Sequence, residues 1–391
     1  METDQLTKIK WKTLSSEIFR ILEMADIHVN HPFVPHLTTI ELISGVLLNP
    51  EILRKTHRVL LAGDFYDHGM EYTDTEKVID IEKFQERFLR RCKEYDVQVR
   101  ILRGTKSHDR EQAAYFIKIN EQCKIDCDIK YFDKLTVDID ERYGDSTLYI
   151  PDQWNVDASK TLKEAVTEMA RLGLKQVDFG VMHGSMRYQM PEHMRLNQDL
   201  HDEKQYNDLV RFALFIGHHH NASNYGKIHC AGSPQRLRFG EEEDKGFITA
   251  EIRPNGANVV FNVLKEAMPL ITKDCTGKST EETKEVILKL IEEHPDHLGV
   301  RITGGASDPA ASVVRLFQED YPHLFFKFEN KGQKDKKQLP TINIKAESEY
   351  IETLTSKNIA QLLAARIEAK KPDLTSHVER VMEEILDEIG E

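Results

Sequence analysis

Long apolar runs are missing from this chain. Stretches such as 212–217 are far too short to cross a bilayer, which excludes them as membrane spans. Cysteine is scarce: five are scattered at irregular positions with no CxxC pair. Free thiols in a reducing cytoplasm are therefore expected, rather than a disulfide framework. Residues 1–15 are polar and mixed in charge, and they lack the apolar segment of a secretory signal. Positive charge is also in deficit. Lys and Arg number 53 against 66 Asp and Glu, a formal net charge of −13, which opposes tight association with a phosphate backbone by this chain alone. The local basic clusters at 54–58, Arg90-Arg91, Arg236 with Arg238, and 331–337 read as solvated faces.

With 391 residues, 40% of them hydrophobic, two or three domains are expected. From residue 18 to about 263, short β-rich runs alternate with amphipathic stretches, the pattern of a layered α/β domain. Strands are expected at 19–24, 58–62, 97–103, 177–182 and 211–216, with later strands at 224–231 and 246–253. Val78, Ile81, Phe84 and Phe88 lie near helical spacing within 75–95. A second unit, 264–345, reads as a small α/β module with a helix at 280–293 and strands at 299–303 and 324–329. Between those strands, Ser307 as N-cap with Asp308 and Pro309 in the first turn predicts another helix. In 346–391, two apolar stripes flank Pro372, the first through Ile359, Leu362, Leu363 and Ile367, the second from Leu374 to Ile389. They predict a helical hairpin whose apolar face packs on its own domain or on a partner.

Five short motifs follow the expected strands: Asp26-Ile27-His28, Gly63-Asp64-Phe65-Tyr66-Asp67, Ser107-His108-Asp109, His183-Gly184 and Gly217-His218-His219-His220. Open α/β sheets bind ligands at the carboxyl ends of strands. Carboxylates and imidazoles gathered there suit a pair of divalent cations, and so metal-assisted attack of water on a phosphate ester. If the strands continue, residues i and i+2 point the same way. Asp26 and His28 then reach one metal together with Ile27 turned into the core, and His218 and His220 are related in the same manner. Two like-charged ions ~3.5–4 Å apart need a bridging group, for which the two oxygens of Asp64 are suited. Oxygen and imidazole ligands favour Mn, Fe or Zn over a thiolate-bound structural zinc. His31, His36, His57, His68, His193, His201 and His229 match no motif.

This ordered set resembles the calcineurin-like metallophosphoesterase superfamily, whose pattern is DxH, GDxxD, GNH[DE], a strand-end His and GHxH. The segment from Gly232-Ser233 through Arg236, Phe239 and Glu241 to Lys245-Gly246-Phe247 further resembles the corresponding stretch of SbcD nucleases. These are the bacterial and phage relatives of the eukaryotic meiotic recombination eleven nuclease. The resemblance implies a two-sheet metallophosphoesterase sandwich flanked by helices over 1–263, a small α/β cap over 264–345 that contacts DNA, and a helical segment over 346–391 that binds an SbcC-type coiled-coil ATPase. It implies two divalent metal ions, Mn²⁺ first, with Mg²⁺, Fe²⁺ and Zn²⁺ as alternatives. One would take Asp26, His28, Asp64 and His220; the other Asp64, His183, His218 and the residue in place of the family Asn. His108 would contact the phosphate and protonate the leaving oxygen, with Asp67 orienting it. Where the family has Gly-Asn-His-Asp, this chain reads Gly104-Thr105-Lys106-Ser107-His108-Asp109, so Ser107 is the first candidate for the missing ligand and Thr105 the second.

The implied activity is that of a Mn-dependent 3′→5′ DNA exonuclease and single-strand or hairpin endonuclease. It would act as a homodimer on DNA ends in recombination and break repair, in the cytoplasm of a bacterium or a phage host. Two other functions use the same residues: a phosphatase or phosphodiesterase for small substrates, and a DNA-end tether with little catalysis.

Overall fold

Arg58–Ala62 and Gln98–Leu102 are buried at every position, as befits central strands covered on both faces. They belong to a computed structural model in which residues 9–10, 17–70, 75–154 and 157–331 are described. The chain begins β1 (Phe19–Met24), α1 (His36–Leu47), α2 (Pro50–Leu53), β2 (Arg58–Ala62), α3 (Thr75–Glu94), β3 (Gln98–Leu102) and α4 (Tyr115–Gln122). It continues β4 (Ile129–Phe132), β5 (Thr136–Ile139), β6 (Ser146–Ile150), α5 (Ala158–Arg171), β7 (Val177–His183), α6 (Glu203–Leu209) and β8 (Val210–Gly217). Then follow β9 (Ser223–Tyr225), β10 (Ile228–Cys230), β11 (Gly246–Arg253), β12 (Gly256–Val263), β13 (Leu270–Asp274), α7 (Thr280–Glu293), β14 (Gly299–Gly304), α8 (Ala310–Asp320) and β15 (Phe325–Asn330).

Two six-stranded sheets carry the architecture. The first is ordered β12-β11-β1-β2-β3-β4 with β1 to β4 parallel. The second is ordered β5-β6-β7-β8-β10-β9 with β6, β7, β8 and β10 parallel. Alternation along each strand gives each sheet two apolar faces. Phe19, Ile21, Leu60 and Ala62 of the first sheet meet Phe179, Val181, Phe212 and Phe215 of the second. The outer face of the first, with Leu22, Met24, Val59 and Leu61, packs on Phe84 and Phe88 of α3 and Phe116 of α4. The outer face of the second packs on Ala165 and Met169 of α5 and Tyr206 of α6. The result is a mixed α/β sandwich with helices outside both sheets. A third, all-parallel sheet, β13-β14-β15, has its own core with α7 and α8.

The parallel strands β1, β2, β3, β7 and β8 all end where the motifs begin, so the sandwich delivers them from both sheets. At the opposite ends of the strands lies a buried polar clamp. The Arg58 guanidinium donates to Asp145 at 2.6 and 2.9 Å and to Gln98 at 3.0 and 2.8 Å, joining the start of β2 and β3 to the turn before β6. Of the basic face expected at 54–58, Arg54 and Lys55 are exposed, with Arg54 paired to Glu51, whereas Arg58 is buried in this clamp. Arg90 and Arg91 likewise pair with Glu86 and Glu94 along α3.

Three local expectations are corrected. The strand expected at 224–231 is a hairpin of two short strands, β9 and β10, broken at Gly226, where φ is +57°. The helix expected from Ser307 begins at Ala310 with Pro309 in the capping position, because the Asp308 carboxylate instead accepts the N–H groups of Gly305 and Gly277. Asp26, His28 and His218 lie beyond the strand ends with positive φ, so strand alternation does not orient them. The expected helical pair at 346–391 and the Lys-rich segment beyond Lys331 lie outside the described residues. All five cysteines are unpaired, and no helix among the described residues is long and apolar enough to cross a membrane.

One buried imidazole makes stability depend on pH. His57 Nδ1 accepts the Arg20 N–H at 2.9 Å, and its ring stacks on Phe19. Burial, followed by the guanidinium charges of Arg20, Arg142 and Arg58, pushes its pKa down to about 4. The unfolded chain therefore takes up this proton first, from about pH 6.5 downward, and the stability held by neutral His57 is lost as pH falls from there towards 4. We expect the difference in urea midpoint between the native protein and His57→Gln to shrink between pH 7 and pH 4.5.

Candidate metal centre

The loops after β1 and β2 are zipped together by their main chains. His28 N–H donates to Asp64 O at 3.0 Å, Val29 N–H to Phe65 O at 2.8 Å, and Asp67 N–H to Val29 O at 3.1 Å. Asp26, His28, Asp64 and His218 take φ values of 50°, 49°, 50° and 98°. A side chain in the left-handed region costs roughly 1–2 kcal/mol, and residues held there cluster at functional sites. Here the conformation turns each side chain out of its strand direction towards one point. Glycine is required beside them: a Cβ on Gly104 would lie 2.1 Å from Asp64 Oδ1, and one on Gly63, at φ +88°, would lie 2.2 Å from His183 Nδ1.

Asp26, His28 and His220 bring ligand atoms within 4.8 Å of one another, and so do Asp64, His183 and His218; a third such group, His28, Asp64 and His108, joins them. Asp64 stands between. Its Oδ2 is 3.2 Å from His183 Nε2 and 3.9 Å from His28 Nε2. Its Oδ1 accepts the Thr105 N–H at 2.6 Å and the Thr105 hydroxyl at 3.1 Å. Both carboxylate oxygens of Asp26 accept the His218 N–H, at 2.8 and 2.9 Å.

His28 and His183 are each held by one nitrogen and offer the other. His183 Nδ1 donates to Ala62 O at 2.8 Å, and His28 Nδ1 contacts Asp67 Oδ1 at 3.2 Å. His28 Nε2 and His218 Nδ1 are buried with no hydrogen-bond partner, and His183 Nε2 faces Asp64 Oδ2. Leaving such atoms unsatisfied is costly, and ligating imidazoles are commonly fixed through the opposite nitrogen. Buried unpartnered nitrogens converging on carboxylate oxygens fit a divalent cation, and the oxygen and imidazole set suits a metal of the Mn, Fe or Zn kind.

Electrostatics point the same way. Burial disfavours ionisation of Asp64, but the His183 imidazole outweighs it and holds the carboxyl far below its usual range. Burial would lower His183, yet Asp64 raises it to about 10. Burial, followed by the His183 charge, pushes His218 down to about 4. Without an ion, a proton on His183 supplies the positive charge that Asp64 needs; a cation would displace it.

The remaining expected residues are placed as follows. His108 packs edge-on against His28, with ring centroids 4.6 Å apart, and its Nδ1 donates to the main-chain carbonyl of Asp67. The orienting group for His108 is thus this carbonyl, not the Asp67 carboxylate, which serves His28 and also contacts His68 Nδ1 at 3.1 Å. Ser107 is exposed, its hydroxyl 3.4 Å from that of Thr105, and Thr105 is the hydroxyl that reaches Asp64. Lys106 lies over the Trp154 ring at 5.7 Å. A polar cleft of about 160 Å³ opens beside His183 and His218, lined also by Asp152, Gln153, Ser185 and His201.

Sequence reasoning assigned no role to Asp109, Glu241 or Lys245. Asp109 is buried and accepts the N–H groups of Tyr66 at 2.9 Å and Gly104 at 3.0 Å, tying the loops after β2 and β3. Burial, followed by the Asp64 charge, pushes its pKa up to about 7. Its position inside a motif was the available signal.

No family model and no curated protein matches the sequence. Solved structures do match by fold, 38 chains in number. One of them, a crystal structure, aligns over 63% of this chain and 100% of its own length, with 10% identity and a TM-score of 0.38. That likeness carries no inference about the site.

Asp67→Ala should leave the acceptor of His108 in place and free His28. We expect Mn²⁺ affinity, measured by calorimetry, to fall about 10–100-fold, the usual effect of removing a group that orients a ligating imidazole.

Proposed function

We propose that the chain is a calcineurin-like metallophosphoesterase of the SbcD type: a DNA nuclease with a two-metal centre. The observation that carries this reading is a continuous run of ligand groups: Asp26–His28–His220 and Asp64–His183–His218, linked by the group His28–Asp64–His108. One group, Asp26, His28 and His220, would hold one ion; His183 and His218 would hold the other, and Asp64 would bridge them. Thr105 stands where a hydroxyl could complete the second set. The ions, when bound, neutralise phosphoryl charge and lower the pKa of water to make a nucleophile available near neutral pH.

The chain's own residues then have defined tasks. His108, with Nδ1–H held by the Asp67 carbonyl, presents Nε2 as an acceptor when neutral and as a donor when protonated. In the imidazolium form it can give its proton to the oxygen that leaves phosphorus. The cleft beside His183 and His218 offers room for a group attached to the phosphate. Exposed Tyr115 on α4 borders a groove of about 480 Å³ lined by Met70, Val78 and Ile81 together with Glu82, Arg110 and Gln112; the homodimer is carried by the resemblance alone. The formal net charge of −13 is consistent with reliance on an SbcC-type ATPase, bound through 346–391, to hold duplex DNA.

Nucleotide release from end-labelled linear duplex DNA in Mn²⁺ tests this. The native chain should release labelled nucleotide, Asp64→Ala should release none, and His108→Gln should be slower by about 10²–10⁴-fold. Cleavage that survives Asp64→Ala would overturn the reading. Turnover of bis(p-nitrophenyl) phosphate without any DNA cleavage would replace it with the small-substrate phosphodiesterase.

A further inference from the structure

The loop from Gly232 to Lys245 does not itself supply a candidate ligand, yet it is packed around one. His220 Nδ1 lies 3.8 Å from Glu241 Oε1. The other carboxylate oxygen, Oε2, is 2.7 Å from Lys245 Nζ and accepts the Leu237 N–H at 3.1 Å. Lys245 Nζ also donates to the main-chain carbonyl of His220 at 3.0 Å. Lys245 is 1% exposed, so its ammonium is out of water and depends on these two acceptors. Ser233 N–H donates to the same His220 carbonyl at 3.1 Å. Backbone and imidazole of His220 are therefore gripped together by one buried ion pair.

From this geometry we propose that Glu241, fixed by Lys245, is the positioning residue for His220. Nδ1 faces Glu241 at ion-pair distance, which leaves Nε2 as the nitrogen available towards Asp26 and His28. The His28 ring is 5.0 Å from that of His220, centroid to centroid. The grip is braced by Arg236 and, through Phe239, from the third sheet. Arg236 donates to the carbonyls of Glu241 at 3.2 Å and Ala267 at 3.0 Å. Phe239 packs on Phe33, in the loop after His28, and on Phe325 of β15, with the Arg301 guanidinium 5.1 Å from its ring. The third sheet thus bears on the loop that aims one candidate ligand.

The inference rests on the metal-centre reading above, and its test keeps the two separable. Mn²⁺ binding to the full chain would be followed by calorimetry and by electron paramagnetic resonance, with thermal melting as a check on folding. The native chain should bind two ions. Glu241→Ala should weaken one of them about 10–100-fold and leave the other. Glu241→Gln, which keeps an acceptor of the same shape, should recover part of that loss. If Glu241→Ala does not fold, Glu241→Gln alone decides, since a measurable weakening of one ion is still expected. Native-like binding of both ions by either folded variant would overturn the proposal while leaving the metal centre intact. Absence of Mn²⁺ binding in the native chain would overturn both.

Discussion

Burying Asp26 and Asp64 at the meeting point of two sheets creates a concentration of negative charge with almost no water to relieve it. An isolated buried carboxylate is strongly disfavoured, and these two sit 2% exposed or less. The surrounding structure is arranged as compensation. The His218 N–H and the Thr105 N–H and hydroxyl point at their oxygens, and His183 holds a proton against Asp64. The compensation is incomplete, because His28 Nε2 and His218 Nδ1 still have no partner. A divalent cation on either side of Asp64 would answer both deficits.

The fold makes that arrangement stable by separating the cost from the support. Strain is confined to the strand-end loops, where Asp26, His28, Asp64 and His218 have positive φ. Their backbones are locked by the pairing of the β1 and β2 loops and by Asp109, which spans Tyr66 and Gly104. Behind them lies an apolar core between the sheets, and at the far ends the Arg58–Asp145–Gln98 clamp sets how the sheets meet. Well-packed interiors transmit displacement rather than absorb it. The third sheet therefore matters to the site through Phe239, which Phe325 and Arg301 pack against, although it supplies none of the candidate ligands.

Much of this was legible in the sequence, and the parts that were not have physical causes. Buried parallel strands such as β2 and β3 announce themselves as unbroken apolar runs, and the motif residues follow them directly. Edge strands β4 and β5 are half-exposed and carry no comparable pattern, while β6, buried at every position, is missed because Ser146 and Thr147 interrupt its apolar run. The gathering of His183 and His218 with Asp64 was implied by the resemblance, but the reason given for Asp26 and His28, strand alternation, was wrong because both lie in left-handed turns. Side-chain routes were hidden for the same reason. Nothing in the letters distinguishes a carboxylate of Asp67 that serves His28 from a carbonyl of Asp67 that serves His108. Nor does the order of residues reveal that Glu241 folds back onto His220. Such contacts are set by loop conformation and tertiary approach, which local patterns do not encode.

The central claim is that two ions share Asp64. Anomalous diffraction at the manganese edge from crystals grown with Mn²⁺ would test it most directly. The account predicts two peaks about 3.5–4 Å apart, one against Asp26, His28 and His220, the other against His183 and His218, with Asp64 touching both. A single peak, or ions bound away from Asp64, would contradict it.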